Sequence, residues 1–218
     1  MSGYSRATSP VSRHHALMTK SPPQKPPLSK AKIRTRLERA QAQGALVGIR
    51  RWIPDADPVE GFVVGQSRGW VLLHRLSDRI ALDGWINVRV QDIQAVTIYP
   101  TEDCFEIAAV KARGLWPPAP PASTAPENIG EVLAQARTHS TVITVYREFE
   151  RPDVAWCGAV RDVSPDTLSL LEVNVAGGWG RRPRRFDLED ITRVDFGGGY
   201  EEALQLVAGS PPRRSPGK

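Results

Sequence analysis

The stretch GAVRDVSPDTLSLL at residues 158–171, followed by FDLEDITRVDF at residues 186–196, decides the fold of this chain. An earlier pair of stretches echoes it, GFVVGQSRGWVLL at 61–73 and VRVQDIQAVTI at 88–98. Short apolar runs separated by polar breaks rich in Gly, Pro, Ser and Asp are typical of strands joined by turns. The sequence therefore predicts one small β module written twice.

The echo can be expressed as a spacing between matching residues. In the later strands the matches lie 98 residues apart and further upstream they lie 96 apart, which requires a two-residue shift near residues 65 and 163. A loop accepts such a difference because its closure entropy rises slowly with length. Two copies at this period indicate a tandem duplication, because a solenoid needs more and shorter repeats. The matches at the longer spacing are Leu72 with Leu170, Leu73 with Leu171, Asp92 with Asp190, Ile93 with Ile191 and Val96 with Val194; those at the shorter spacing are Ile33 with Ile129, Leu37 with Leu133, Ala40 with Ala136, Arg51 with Arg147 and Val64 with Val160.

The composition limits the class of protein. A chain of 218 residues, 40% of them apolar, is long enough for one large or two small domains with real cores. Its two cysteines, Cys104 and Cys157, form neither a metal-ligand spacing nor a disulfide framework, which favours a reducing compartment. The chain has no apolar run near the roughly 18 residues of a membrane span, and no signal-peptide core. We expect a cytoplasmic protein without membrane contact, cofactor or metal.

The positive charge is confined to the two ends of the chain. Residues 1–44 carry nine Lys and Arg and one acid, and residues 211–218 carry three Lys and Arg and no acid. Subtracted from totals of 29 basic and 24 acidic residues, these leave 17 basic and 23 acidic residues in 45–210, a net charge of −6. Basic ends favour loose contact with nucleic acid or acidic surfaces, whereas the acidic body offers no such general attraction.

Proline, serine and charge patterns divide the chain into five parts. The start of the chain is acid-free, contains SPPQKPP and lacks apolar periodicity, which predicts disorder. Its prolines oppose the helix of an organelle transit peptide, and Met18 is an alternative start. Five prolines in the middle of the chain predict an extended interdomain linker. The predicted parts are a disordered basic arm at 1–29, a first barrel at 30–114, the linker at 115–126, a second barrel at 127–207 and a disordered basic tail at 208–218.

Each predicted module begins with a helix and continues with five short strands. Ser29 is suited to cap a helix at 30–43, and Gly44 is suited to end it. A helix at 127–138 opens the second module in the same way, and short helices are predicted at 101–113 and 200–207. Five short strands need a closed or nearly closed sheet to hide their edges. The predicted fold class is therefore mainly β with short helices, as two tandem five-stranded barrels, each preceded by an N-terminal helix.

The chain resembles the Sm-like family, whose modules are small SH3-like β-barrels. The resemblance rests on the order helix, strand, G-x-V-x-x-x-S/D-x-x-h-x-L, strand and h-x-x-D-I, where h is apolar. It implies a small bent-sheet barrel, often assembled into rings and often binding RNA. The chain is also similar in style to bacterial proteins that use this barrel as a scaffold or partner-binding module. The residues that carry the resemblance are Gly61, Val63, Trp70, Leu72, Val90, Asp92 and Ile93 in the first copy, and Gly158, Val160, Leu168, Leu170, Leu188, Asp190 and Ile191 in the second.

Two departures separate the chain from the RNA-binding members of that family. Where they carry an RNA-contacting Asn, this chain has Val71 or Ser169. Their basic-Gly or Lys-His signature before the last strand is replaced by VQDI at 90–93 and LEDI at 188–191. The resemblance therefore supports the fold and does not support a uridine-binding pocket.

The strongest local candidate for binding is GWGRRPRR at residues 178–185, in the predicted loop between the third and fourth strands of the second copy. Four arginines beside an aromatic residue suit phosphate contacts combined with base stacking. The alternative is a solvated turn whose charges offset the acidic body. The corresponding segment of the first copy keeps Trp85 and is not basic. The candidate nucleic-acid contacts are Trp179, Arg181, Arg182, Arg184 and Arg185.

The other titratable residues indicate structural roles. Asp92 and Asp190 occupy matching positions, where an Asp can bond nearby backbone amides and fix a tight turn. His74 and His139 show no metal-ligand spacing and no pairing with a nucleophile. Cys157 lies on a predicted strand, where a small buried hydrophobe is expected. No catalytic, cofactor-binding or metal-binding residue is predicted, so we do not expect an enzyme.

These observations predict a non-catalytic binding or scaffold protein of the bacterial cytoplasm that associates with itself or with a protein partner. One alternative is an RNA- or DNA-associated protein that uses the basic arm and residues 181–185. Another is an inhibitor-like or immunity-like protein that binds its partner through the acidic body. A third is an enzyme, which would need Cys157, His74 or a pair of carboxylates to meet in one cleft.

Overall fold

The computed structural model describes residues 28–122 and 125–213, which form a mainly β structure with ten strands and four short helices. The predicted arm at 1–29 lies outside the described residues except for its last two, and so does the predicted tail beyond residue 213. The elements are α1 (Lys30–Gln43), β1 (Leu46–Arg51), β2 (Val59–Gln66), β3 (Trp70–Leu76), β4 (Leu82–Arg89), β5 (Ile93–Ile98), α2 (Phe105–Ala112), α3 (Ile129–His139), β6 (Ile143–Tyr146), β7 (Ala155–Val163), β8 (Thr167–Glu172), β9 (Arg184–Asp187), β10 (Arg193–Phe196) and α4 (Gly199–Ala208).

Helix α1 is capped as its sequence predicts, and α3, which begins at Ile129, is also capped at its N-terminus. The Ser29 side chain accepts a hydrogen bond from the Lys32 amide, and Gly44 ends α1 in the left-handed conformation. Asn128 caps α3 by accepting from the Glu131 amide at 3.0 Å. Both helices bury one apolar face, formed by Ile33, Leu37 and Ala40 in α1 and by Val132, Leu133 and Ala136 in α3.

The ten strands form one antiparallel sheet in the order β5-β1-β2-β3-β4-β10-β6-β7-β8-β9. The order in the first half, β5-β1-β2-β3-β4, is repeated by β10-β6-β7-β8-β9 in the second. The sheet is not closed, so the prediction of two separate five-stranded barrels is not confirmed. The reason is that β4 bonds to β10 of the other half, from Trp85 opposite Phe196 to Val88 opposite Arg193. Each half thus covers an open edge of the other.

The strand registers correct the predicted spacing of the repeat. The spacing is 96 between β1 and β6, 97 through β2–β3 and β7–β8, and 98 from β4 and β9 onwards. The predicted matches of Leu72 with Leu170, Leu73 with Leu171 and Val64 with Val160 are therefore each wrong by one residue. The physical reason is that two loops of the second half each hold one extra residue, in place of one loop that holds two. The equivalent pairs are Val47 with Ile143, Val63 with Val160, Leu73 with Leu170, Val88 with Phe186 and Val96 with Val194.

The two halves share a hydrophobic core. Val64, Trp70 and Leu72 of the first half pack in the same cluster as Val132 and Leu133 of α3. The rest of that cluster comes from the second half, mostly from its strands. The first half has a further core of its own beneath α1. Because apolar burial is the main stabilising term in folding, the shared cluster makes each half depend on the other.

A buried ion pair also joins the halves. The Arg51 Nη2 atom donates to Glu148 Oε1 at 2.7 Å, and its Nη1 atom contacts the other carboxylate oxygen. The two side chains are 0% and 4% exposed. Thr192 Oγ1 donates to the same carboxylate at 2.6 Å, and Arg51 also donates to the Asp57 carbonyl oxygen. Charges this deeply buried are tolerated only when paired and hydrogen-bonded, so this contact fixes how the halves meet.

The proline-rich segment after α2 lies against the first half. Trp116 packs edge-on against Phe62, with ring centroids 5.9 Å apart. The Ala119 carbonyl oxygen accepts from Trp85 Nε1 at 2.9 Å, and the Ala119 amide donates to His74 Nδ1 at 3.3 Å. These contacts hold the described part of the segment on β2, β3 and β4.

One polar side chain in the shared core has no partner. Asn87 of β4 lies opposite Leu72 and Val194, is 0% exposed, and has no hydrogen-bonding group of the described residues within reach of its amide. A buried amide without a hydrogen bond costs about 1–3 kcal/mol.

We therefore expect Asn87→Leu to stabilise the protein. The substitution removes the uncompensated amide and keeps the number and branching of the side-chain heavy atoms, so the free energy of unfolding should rise by about 1–2 kcal/mol. Urea unfolding of both proteins measures this difference. Asn87→Asp is the matched control and should lower stability, because it buries an unpaired charge. A loss of stability in the Leu variant would mean that the amide is hydrogen-bonded in solution.

Candidate binding surfaces

The arginine segment lies at one end of the sheet, where it leads into the edge strand β9. Arg184 and Arg185 begin β9, which pairs with β8 alone. Arg184 Nε lies 2.5 Å from Glu172 Oε1, so this arginine is paired. The side chains of Arg181, Arg182 and Arg185 are exposed, and no carboxylate of the described residues pairs with them. Three of the four predicted arginines are thus free to meet an anion.

Trp179, the aromatic member of the predicted site, faces the protein. Its Nε1 atom donates to the Ala208 carbonyl oxygen at the end of α4, at 3.0 Å. The half-buried ring packs against a cluster that includes Leu204 and Val173. A ring held in this way is not a free platform for stacking a base. The arginines of the predicted site are therefore exposed, whereas Trp179 packs the segment onto α4.

A groove lies at the opposite end of the sheet, between α1 and the edge strand β5. Its volume is about 840 Å³. Arg36, Arg39 and Gln43 line it from α1, where the i, i+3, i+7 spacing places them on one face of the helix. Arg50 of β1 and residues 95–102 form the other wall. We call this feature the α1–β5 groove.

Two backbone oxygens at the rim of the α1–β5 groove are already bonded. The Leu28 amide donates to the Gln94 carbonyl oxygen at 3.2 Å, and Arg36 Nη1 donates to the Val96 carbonyl oxygen at 2.7 Å. Arg50 Nε donates to the Gln94 side chain at 2.9 Å. In the described part of the chain no carboxylate pairs with the groove arginines, Arg39 included. Sequence reasoning missed this groove because it followed only the apolar face of α1.

The two histidines outside the arm pack on Trp85. The His74 ring stacks on the indole at 5.0 Å, and the His139 ring meets it edge-on at 4.6 Å. Burial lowers the pKa of His74 to about 4, so its imidazole is neutral at neutral pH. Its Nδ1 atom accepts from the Ala119 amide. These contacts are structural, as is the packing of Trp85 on Phe196.

Cys157 lies on β7 beside two buried polar side chains, Thr144 and Glu201. Its Sγ atom is 3.4 Å from Thr144 Oγ1, which donates to Glu201 Oε1 at 2.5 Å. Burial raises the pKa of the Cys157 thiol and of the Glu201 carboxyl group. A thiol whose pKa is raised is a poor nucleophile. The contacts described for Cys157 and for His74 have no residue in common.

The matching aspartates lie in 3₁₀ turns at Val90–Asp92 and Leu188–Asp190. Their carboxylates accept from arginines: Arg89 Nε donates to Asp92 at 2.7 Å, and Arg147 Nη2 donates to Asp190 at 2.5 Å. The predicted turns are confirmed, and their carboxylates bind side chains in place of the predicted backbone amides. Paired in this way, each aspartate ties its turn to a neighbouring strand end.

Residues 28–122 and 125–213 contain no group of three His, Cys, Asp or Glu that could hold a metal ion. None of the helices described above is long and apolar enough to cross a bilayer. No protein-family model matches the chain, no curated protein matches it, and no solved structure matches it.

Proposed function

We propose that this chain is a non-catalytic scaffold protein built from two Sm-like modules, which binds a protein partner along the open edges of its sheet. The observation that carries the proposal is the pairing of β4 with β10. There an edge of one half accepts a strand from the other half. The equivalent edges at the two ends, on β5 and β9, are not paired with any strand of the described residues.

The internal contacts support a rigid platform. The halves are joined by main-chain bonds between β4 and β10, by a shared core and by the buried pair of Arg51 with Glu148. Each half repeats the order helix, five strands, helix. Sites on rigid elements keep their geometry when a partner binds, which limits the entropy cost of binding.

The proposal is tested by capture from cells that naturally produce the protein. The full chain, bound through a terminal tag, should retain one protein in a fixed stoichiometry after washing at high salt. High salt removes contacts that depend on exposed charges. Material that contains nucleic acid alone, or no retained protein, would overturn the proposal.

The exposed arginines support a second candidate function, which is binding of single-stranded nucleic acid at the β9 end. Arg181, Arg182 and Arg185 are free to contact phosphates. Fluorescence anisotropy of a short RNA across a salt series tests this candidate. The logarithm of the association constant should fall linearly with the logarithm of the salt concentration, with a slope near −0.7 for each phosphate contacted. Changing these three residues to Ala should reduce the slope, whereas Arg184→Ala, which removes a paired arginine, should change it little.

A further inference from the structure

We propose that the α1–β5 groove binds an extended, acidic peptide segment of a partner protein, which lies along β5 as an additional antiparallel strand. This inference rests on the proposed function and names the site and the chemistry of the partner. Such a ligand requires a free strand edge on β5 and positive side chains that select a negatively charged peptide. The groove must also disfavour a second copy of this chain.

The chain itself contains an example of the proposed binding mode. β10 is the counterpart of β5 in the second half, and its outer edge is filled by β4. That pairing ends with the Arg89 amide donating to the Thr192 carbonyl oxygen at 3.4 Å. At the same position of the first half, the Leu28 amide donates to the Gln94 carbonyl oxygen. The edge of β5 thus already accepts one bond of the kind that a neighbouring strand makes.

The part of the β5 edge beyond Val96 is open. The Tyr99 amide donates inwards to the Leu46 carbonyl oxygen at 3.0 Å. Because main-chain groups alternate along a strand, the amide and carbonyl of Ile98 point outwards. No described residue bonds to either group. An added strand would satisfy both, as in other cases of β-strand addition.

The side chains around this edge favour negative charge. Arg36, Arg39 and Arg50 line the groove, against the single carboxylate of Glu102. None of the three arginines has a carboxylate partner among the described residues. Glutamate or aspartate side chains on a bound strand would form charge-assisted hydrogen bonds with them. A basic segment would be repelled, which excludes ligands of the wrong charge.

A second copy of this chain fits the groove poorly. The strand equivalent to β4 is β9, so a second copy would present β9 to β5. Pro183 then takes the position of Trp85 and has no N–H group to donate to the Ile98 carbonyl oxygen. Arg184 and Arg185 would add positive charge to a groove that is already basic. These features protect the sheet against end-to-end growth, and they point to a partner of different sequence.

The test is the binding of a fluorescein-labelled peptide of alternating glutamate and valine to the full chain, followed by anisotropy. We expect Arg39→Glu to weaken binding by about tenfold or more, because Arg39 lines the groove. Arg34→Glu makes the same charge change on α1 away from the groove and should alter affinity by less than about twofold. A peptide with alternate backbone nitrogens methylated keeps its charge, loses its donors on one edge, and should bind weakly.

Each other outcome counts against the inference. Equal binding of a lysine–valine peptide would show that charge does not select the ligand. Equal weakening by Arg34→Glu and Arg39→Glu would show general electrostatic attraction without a site. If the protein forms dimers or filaments that dissociate when the peptide is added, the natural ligand of the groove is a second copy of this chain.

Failure here can be told apart from failure of the proposed function. If the capture experiment yields a stoichiometric protein and the acidic peptide does not bind, the scaffold function stands and this groove is not its site. If capture yields only nucleic acid, the scaffold function itself fails, whatever the peptide does.

Discussion

Replacing Glu148 with alanine should lower the free energy of unfolding by about 3–5 kcal/mol. The substitution leaves the Arg51 guanidinium buried at the junction of the halves with no carboxylate of the described residues hydrogen-bonded to it. The remaining acceptor, the Asp57 carbonyl oxygen, meets only one of its nitrogens. A buried charge without a partner is far more costly than the loss of one hydrogen bond, which is about 1 kcal/mol. Urea unfolding monitored by tryptophan fluorescence measures the change.

The control for this prediction removes both charges together. The double variant Arg51→Met with Glu148→Leu should unfold with a free energy close to that of the natural chain, or higher, because it leaves no uncompensated charge. Equal losses in the single and double variants would contradict the argument. They would show that the two side chains matter for packing and not for charge.

Gly84→Ala should destabilise the protein by about 2–5 kcal/mol. Gly84 lies in β4 with φ of +69°, a conformation that costs a residue with a Cβ atom about 1–2 kcal/mol. The added Cβ would also lie 2.4 Å from the Gly198 nitrogen and 2.6 Å from the Gly197 carbonyl carbon. Both are backbone atoms of the two residues that precede α4, so the halves would have to separate locally.

Gly114→Ala is the matched control for this substitution. Gly114 has φ of +70°, and an added Cβ there meets no atom of residues 28–122 or 125–213 within 4 Å. Its loss of stability should therefore be about 1–2 kcal/mol, the cost of the backbone conformation alone. The difference between the two variants in thermal unfolding gives the cost of the clash between β4 and α4. If both variants lose the same stability, the close approach at Gly84 is not maintained in solution.

Local sequence patterns were enough to predict most elements of the fold. Ser29 and Gly44 mark the ends of α1, and the apolar spacing of Ile33 and Leu37 predicts its buried face. The repeat was visible because core residues recur in order, as Val96 and Val194 do. Such signals depend on neighbours within a few residues, which is why a sequence read in order contains them.

The pairing of the halves could not be predicted in the same way. Whether an edge strand closes on its own half or bonds to the other depends on contacts between residues more than 100 positions apart, such as Trp85 with Phe196. Isolated one-residue insertions are equally hard to place, because a loop absorbs them at little cost. The two expected barrels are not confirmed for the first of these reasons, and the predicted match of Leu72 with Leu170 is wrong for the second.

The candidate binding sites also differ in how far the sequence could predict them. The arginines at 181–185 stood out because four charges lie side by side in the sequence. The α1–β5 groove did not, because Arg36 and Arg39 come from a helix and Arg50 from a strand that only folding brings together. The inward orientation of the Trp179 ring depends on a hydrogen bond to the Ala208 carbonyl oxygen, 29 residues away in the sequence. A site assembled from separate segments of the chain cannot be predicted from a pattern of neighbouring residues.

The joining of β4 to β10 within one chain has a consequence for how the protein responds to dilution. Two separate modules that met through the same edges would dissociate as their concentration fell, since the stability of a dimer depends on protomer concentration. Here the connecting segment holds the two edges at an effective concentration that does not depend on how much protein is present. A cell that makes only a few copies would therefore still contain the fully paired sheet.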